Sequence, residues 1–188
     1  QLITKYFKLN GAQKKAIKQF QAKGEGYSDL TNEYTISIDP EGCLDIDDAF
    51  SWEILDSNKV LLKIHISDVI GSLNELGLNA MLNNLTTSVY APHKNYNMFQ
   101  NILSQGILSL LPEKRRLAIT LCLEISNNKI INSNIVKTII INHKAFSYED
   151  FEQHHFYNKK SSINPIIDVI KNLKYPGLES RFNTYFDS

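Results

Sequence analysis

Residues 38–50 read Ile-Asp-Pro-Glu-Gly-Cys-Leu-Asp-Ile-Asp-Asp-Ala-Phe, so Asp39, Asp45, Asp47 and Asp48 fall within one short turn of backbone. Carboxylates a few ångströms apart repel strongly; they stay ionised together beside bound cations, and otherwise some take up protons. A ligand set made only of oxygen selects a hard ion, Mg²⁺ or Mn²⁺. A charge run more often means a solvated loop. Here, however, Ile38, Leu44, Ile46, Ala49 and Phe50 are interleaved with the Asp residues, unlike a freely solvated tract.

The charge pattern around this stretch points the same way. Between residues 24 and 58 stand ten acidic residues (Glu25, Asp29, Glu33, Asp39, Glu41, Asp45, Asp47, Asp48, Glu53, Asp56) and no Lys or Arg. The rest of the chain carries the other ten acids and all twenty basic residues, so the zero formal net charge conceals a strong separation. An acidic metal pocket in a basic surround suits a polyanionic substrate, because the bulk charge attracts phosphate and the pocket receives it through cations.

The 188 residues suffice for one domain with a sizeable core. Cys43 and Cys122 are far apart and have no His or Cys partner at zinc spacing, which excludes a disulfide framework and a structural zinc site. No apolar run reaches membrane-spanning length and the first residues lack a signal-peptide pattern, so the expectation is an intracellular, cytoplasmic protein with no membrane partner.

Along the chain, Ala12, Ala16, Ile17 and Phe20 sit at helical spacing and predict an amphipathic helix over 10–21. Residues 35–38 are β-prone and run into Pro40, which makes Asp39 the last residue of a strand and 40–43 a turn. Residues 49–55 return as a strand, and Asp56-Ser57-Asn58-Lys59 turns it into a partner over 60–67. This strand–turn–strand pattern is expected to bring all four Asp carboxylates toward one point. Helical character follows over 74–85, then a β-prone piece over 86–92. Alternation over 117–125 and Asn127-Asn128-Lys129 predict a long antiparallel hairpin continuing over 130–142. A capping pattern at Ser147 and the Asn-Pro start near Ile163 predict two closing helices. The fold class expected is α+β, with a largely antiparallel mixed sheet flanked by helices.

Several stretches together resemble the RNB catalytic domain of the ribonuclease II and ribonuclease R superfamily. They are residues 38–50, then Ile64-His65-Ile66-Ser67-Asp68-Val69, Thr87-Ser88-Val89-Tyr90-Ala91-Pro92, Leu103-Ser104, Ser109-Leu110, Arg116-Leu117-Ala118 and Phe146-Ser147-Tyr148-Glu149-Asp150. The Asp-Pro-Glu-Gly-x-x-Asp-Ile-Asp-Asp pattern is highly specific. The resemblance divides the chain into an N-terminal helix and linker over 1–33 and the first part of an RNB-like domain over 34–188. It implies an Mg²⁺-dependent 3′→5′ exoribonuclease that hydrolyses single-stranded RNA to nucleoside monophosphates. Asp39, Asp45 and Asp48 would hold metal, and Asp47, also in the metal cluster, would be the carboxylate most tied to the chemical step. Spacing does not say which of them bridges two ions. Tyr90 matches the aromatic that stacks on the terminal nucleotide, and Arg116 stands where the family keeps an Arg, with phosphate contact or a solvated basic turn as its two readings. His65 and Asp68 could form an acid–base pair, but their family counterparts look structural, and they stay outside the expected site.

The sequence departs from the family after about residue 153, where the family's second half and its phosphate-binding arginines have no counterpart and Arg181 stands alone. The expected architecture is therefore an incomplete RNB fold with an exposed apolar patch, to which a second chain or further segment is the completing partner. The competing reading is a non-catalytic structural or RNA-binding subunit that retains a truncated RNB fold. A calcium EF-hand at Asp45-x-Asp47 is excluded, because Phe50 occupies the obligatory glycine position.

Overall fold

A computed structural model of the protein describes residues 9–84, 89–91, 94–96, 99–153 and 166–168. Helix α1 (Gly11–Lys18) starts at a reciprocal cap: Asn10 accepts from the Gln13 amide at 2.8 Å and Gln13 accepts from the Asn10 amide at 2.9 Å. Its apolar side buries Ile17 against Leu73, Leu78, Leu103 and Ile107, in a cluster that also holds Leu9 and Phe99.

The strands are β1 (Ser28–Asp29), β2 (Thr35–Asp39), β3 (Asp48–Asp56), β4 (Lys59–Ser67), β5 (Val89–Ala91), β6 (Lys94–Tyr96), β7 (Arg115–Ser126) and β8 (Lys129–Ser147). Six of them form one mixed sheet in the order β1-β8-β2-β3-β4-β7, and β5 and β6 form a separate ribbon. β8 also pairs with β7, so the hydrogen-bonding returns to its starting strand. The length of β8 permits this. Its first part lies antiparallel to β7, while Asn142–Ser147 runs parallel to β2 after a bulge. The β7–β8 turn uses Asn127 and Asn128 at φ 49° and 59°, the left-handed conformation that Asn tolerates and that matches strand twist.

Most expected elements are present, with shifted limits. Helical structure expected over 74–85 occurs instead as α2 (Val69–Glu75) and a 3₁₀ turn (Asn79–Asn84). Asp68 accepts from the Gly71 amide at 2.8 Å and so starts α2 earlier than apolar periodicity suggests. β8 extends five residues past its expected end because β2 supplies a partner there. Ser147 caps α3 (Tyr148–Phe151), with its side chain accepting from the Asp150 amide. Residues 166–168 of the last expected helix are helical; the rest of that span, and residues 86–88 and 92 of the β-prone piece, lie outside the described residues. No helix among the described residues is long and apolar enough to cross a membrane.

Strand alternation gives the sheet two unlike faces. One carries Ile36, Val60, Leu62, Ile125 and Phe146, covered by Phe151 and Ile166. On that same face Ile54, Ile66 and Ile135 are 46%, 48% and 71% exposed. Ile54 and Ile66 stand at opposite ends of the β3–β4 pair, with buried Val60 and Leu62 between them, so these isoleucines are exposed at the margins of the face and do not form the single apolar patch expected.

The opposite face is polar and dry: Thr35, Ser37, Ser51, His65, Thr120, Thr138 and Asn142 are all buried. Their hydrogen bonds run in one direction across the strands. Ser51 donates to Glu33 at 3.1 Å, and Glu33 is ion-paired with Lys63. The Ser51 hydroxyl is then free to accept from His65 Nε2 at 3.1 Å, and His65 Nδ1 accepts from Thr120 at 2.8 Å, with Thr138 donating to Thr120. In this arrangement the neutral imidazole, protonated at Nε2, has a partner on each nitrogen.

Burial pushes His65 down from 6.5 to about 4, with the Glu33 and Lys63 charges opposing each other as smaller influences. Because its folded value is depressed, the unfolded chain binds the extra proton first. His65 therefore contributes its full stability above about pH 6.5 and loses it as the pH falls toward 4, on the order of 2–3 kcal/mol in all. His65→Gln, which cannot titrate, is expected to flatten the stability profile between these values relative to the parent in urea unfolding. An unchanged slope would show that the imidazole is not held neutral.

Candidate active site

The four Asp residues meet at one end of the sheet. Asp39 closes β2, Asp48 opens β3, and the loop between them carries Asp45 and Asp47. Pro40 and Gly42 turn the chain: the Cys43 amide donates to the Pro40 carbonyl at 3.0 Å, and Gly42 sits at φ 73°, a conformation costly for residues with a Cβ.

Ile46 is the anchor of this loop. It is 1% exposed and packs with Ala49, Leu110, Ala118 and Ile140. Both sides of its peptide are held: its amide donates to Ser109 Oγ at 2.9 Å and its carbonyl accepts from the Leu110 amide at 2.8 Å. With Ile46 fixed inward, the residues on either side face outward, and Asp45 and Asp47 are accordingly exposed. The Asp47 carbonyl accepts from the Ser67 amide at 3.0 Å, which ties the loop's exit to the end of β4.

The carboxyls repel one another. Asp47 is raised above its ordinary value by burial first and then by the charges of Asp45, Asp48 and Asp39. Asp39 is raised by burial and by Asp48, against a hydrogen bond from Ser37 that lowers it. Asp45 is raised by burial. Asp47 thus lies within the field of all three others. Strand parity nevertheless separates two of them: Asp39 shares the polar face with Ser37, whereas Asp48 is paired with Ile66 on the apolar face. The cluster straddles the sheet's end rather than converging on one face, as the strand–turn–strand pattern led us to expect. Among the described residues no three His, Cys, Asp or Glu side chains are close enough to share one ion.

The donors still suit a hard cation. All are carboxylate oxygens, and Asp39 Oδ2 is buried without a hydrogen-bond partner, a costly state that a cation or water would relieve. Ser67 Oγ, beside Asp47, is buried and unpartnered too. Nothing in the sequence distinguishes Ser67 from any strand serine; only the loop's return onto β4 places it here.

Tyr90 is in β5, opposite Asn95. Arg116, expected to touch phosphate or to sit in a solvated turn, is 6% exposed, and its guanidinium donates to the carbonyls of Ser109, Arg115 and Gly106 at 2.9, 3.1 and 3.0 Å. Burial lowers it to about 10, so it keeps its charge at neutral pH. Asp68 accepts from the Tyr27 hydroxyl at 2.6 Å besides capping α2, and His65 belongs to the buried hydroxyl chain, so both do structural work.

The chain belongs to the RNB domain family, which it matches over residues 27–175. It is 32% identical to ribonuclease R of Thermotoga maritima over 152 residues, covering 78% of this chain and 21% of that protein. It is 32% identical to the exosome complex exonuclease dis3 of Schizosaccharomyces pombe over 124 residues, covering 65% of this chain and 13% of the relative. The chain thus spans about a fifth or less of these relatives. Its fold is similar to that of Mycoplasma genitalium RNase R solved with ribose-methylated single-stranded RNA (TM-score 0.62, 24% identity, 88% of this chain and 27% of that one). It is similar also to yeast Ssd1, a pseudonuclease (TM-score 0.65, 16% identity, 81% and 20%).

Removing one of four repelling charges should relax the site. Asp47→Asn is expected to stabilise the fold in chelator at low salt, by no more than about 1 kcal/mol because exposed charges are screened, seen as a higher thermal midpoint, and the gain should shrink in high salt. Destabilisation at both salt concentrations would mean that the carboxylate makes a favourable contact instead.

Proposed function

We propose that this chain carries the acidic half of an exoribonuclease site that removes nucleotides from the 3′ end of single-stranded RNA. The observation that carries the reading is the crowding of four carboxylates around Asp47, with a buried, unpartnered oxygen on Asp39. Membership of the RNB family supports it, as do relatives named as exonucleases and ribonucleases.

In this reading Asp39, Asp45 and Asp48 hold Mg²⁺, or Mn²⁺, and Asp47 is the carboxylate closest to the chemical step. When bound, such ions lower the pKa of an attacking water and stabilise the leaving 3′ oxygen. The protein's own part is to hold like charges together before substrate arrives: Ile46 fixes the loop, and the ends of β2, β3 and β4 fix its flanks. Tyr90 stacks on the terminal base, a contact worth roughly 1–3 kcal/mol that tolerates any sequence. Further polypeptide covers the exposed Ile54, Ile66 and Ile135 and supplies cationic groups for the scissile phosphate. The products are nucleoside monophosphates.

A second reading has an observation in its favour. The fold is also similar to that of a pseudonuclease, and no three described carboxylates stand close enough to share an ion.

The test uses 5′-labelled single-stranded RNA with the protein and whatever chain copurifies with it. Stepwise shortening in Mg²⁺, abolished by chelation, is expected. Asp47→Asn should lower turnover at least a hundredfold while RNA affinity changes little, since binding depends on basic residues and stacking. Tyr90→Ala should leave slower cleavage with a longer end product. RNA binding without any turnover would establish the non-catalytic reading.

A further inference from the structure

Two buried polar side chains that touch none of the four carboxylates converge on the segment that holds the acidic loop. Arg116 donates to the carbonyl of Ser109, and its other contacts fix Gly106 and Arg115. Asn142 donates from Nδ2 to the Leu110 carbonyl at 2.9 Å and to Ser37 Oγ at 3.0 Å, while its Oδ1 accepts from the Lys144 amide at 3.2 Å. Its backbone carbonyl accepts from the Glu113 amide at 2.8 Å. Ser109 and Leu110 are the residues that bond both sides of the Ile46 peptide. Ser37 precedes Asp39 by two residues on the same face of β2.

Thus Asn142 ties the strand that ends at Asp39 to the segment that pins Asp45 and Asp47, and Arg116 closes that segment from the other side. Arg116 is 6% and Asn142 1% exposed, so water does not compete for these bonds. Loops that gather like charges open unless something rigid opposes the repulsion, and supporting polar groups commonly set the placement of ligand carboxylates. Packing of Ile46 alone fixes how deep the loop sits. Hydrogen bonds to both of its peptide groups fix the register, and with it which carboxylates point outward.

We infer that Arg116 and Asn142 are positioning residues for the acidic loop, acting through Ser109 and Leu110 to set where Asp45 and Asp47 stand relative to Asp39. For its consequence this rests on the reading of the loop as a cation site; the hydrogen-bond geometry stands apart from it. Arg116 has this role in place of phosphate contact.

Amide hydrogen exchange tests the inference in the purified protein, alongside Mn²⁺ binding followed by calorimetry. In Arg116→Lys, whose compact ammonium lacks the planar fork that reaches three separate carbonyls, and in Asn142→Asp, which loses both donors, the Ile46 and Leu110 amides should exchange about tenfold faster. The Leu62 and Ile64 amides, in the centre of the sheet between β3 and β7, should keep their protection. Mn²⁺ affinity should fall by a similar factor. Unchanged exchange at Ile46 and Leu110 would overturn the inference, and so would a uniform loss across the sheet, which is the mark of a merely structural role. Should either variant fail to fold, Ser109→Ala removes one acceptor at the same peptide, and its Ile46 exchange and Mn²⁺ affinity must move together. Absence of Mn²⁺ binding in the parent protein overturns the cation reading, and the exchange rates then decide the positioning role alone.

Discussion

The burial of Ile46 between two aspartates is the constraint on which the site depends. An apolar side chain in the core releases free energy roughly in proportion to the area it takes from water, about 2–3 kcal/mol for a full isoleucine. Placing these carboxylates together costs electrostatic energy: burial first, and then the neighbouring Asp charges, raise Asp47 and Asp39 above their ordinary values, while burial alone raises Asp45. The apolar anchor and the two peptide hydrogen bonds around it offset that cost at the point where it arises. Alternation does the rest: a residue driven inward turns both neighbours outward, so an Asp-Ile-Asp sequence exposes two carboxylates on one buried pin.

The sheet supports this arrangement by being unusually polar on one face. A conventional core would fill the space opposite the acidic loop with large apolar side chains. Here a chain of hydroxyls and an imidazole crosses the strands from Thr138 to the Glu33–Lys63 pair. Directional bonds of this kind are costly when one member is left unpaired, so they penalise any slip in strand register. A slip between β3 and β4 would separate Ser51 from His65 and move Asp48 along with it. Register of the buried network and register of the acidic strand ends are therefore the same quantity.

Much of this was legible in the sequence because it depends on local chemistry. Pro40 and Gly42 mark the turn, the acidic pattern marks the loop, and the paired Asn residues mark the hairpin at Asn127-Asn128. What could not be read depends on strands meeting across long distances. Asn142 reads as an ordinary β-strand asparagine until β8 pairs with β2 and brings it beside Ser37. Arg116 reads as part of a basic run with Lys114 and Arg115, and only the fold turns its guanidinium inward onto three carbonyls. The start of α2 was missed for a different reason: Asp68 acts as a cap, and a cap lies outside the apolar repeat that marks a helix.

The division of the carboxylates between faces gives them unlike surroundings. Asp39 belongs with the dry polar face, where its Oδ2 is buried without a partner, whereas Asp48 opens β3 on the face where Ile54, Ile66 and Ile135 reach solvent. Of these only Ile66 stands opposite Asp48, so a surface laid on it would bury apolar area there and lower the local dielectric. Lower dielectric strengthens repulsion among uncompensated carboxylates and attraction to a cation alike.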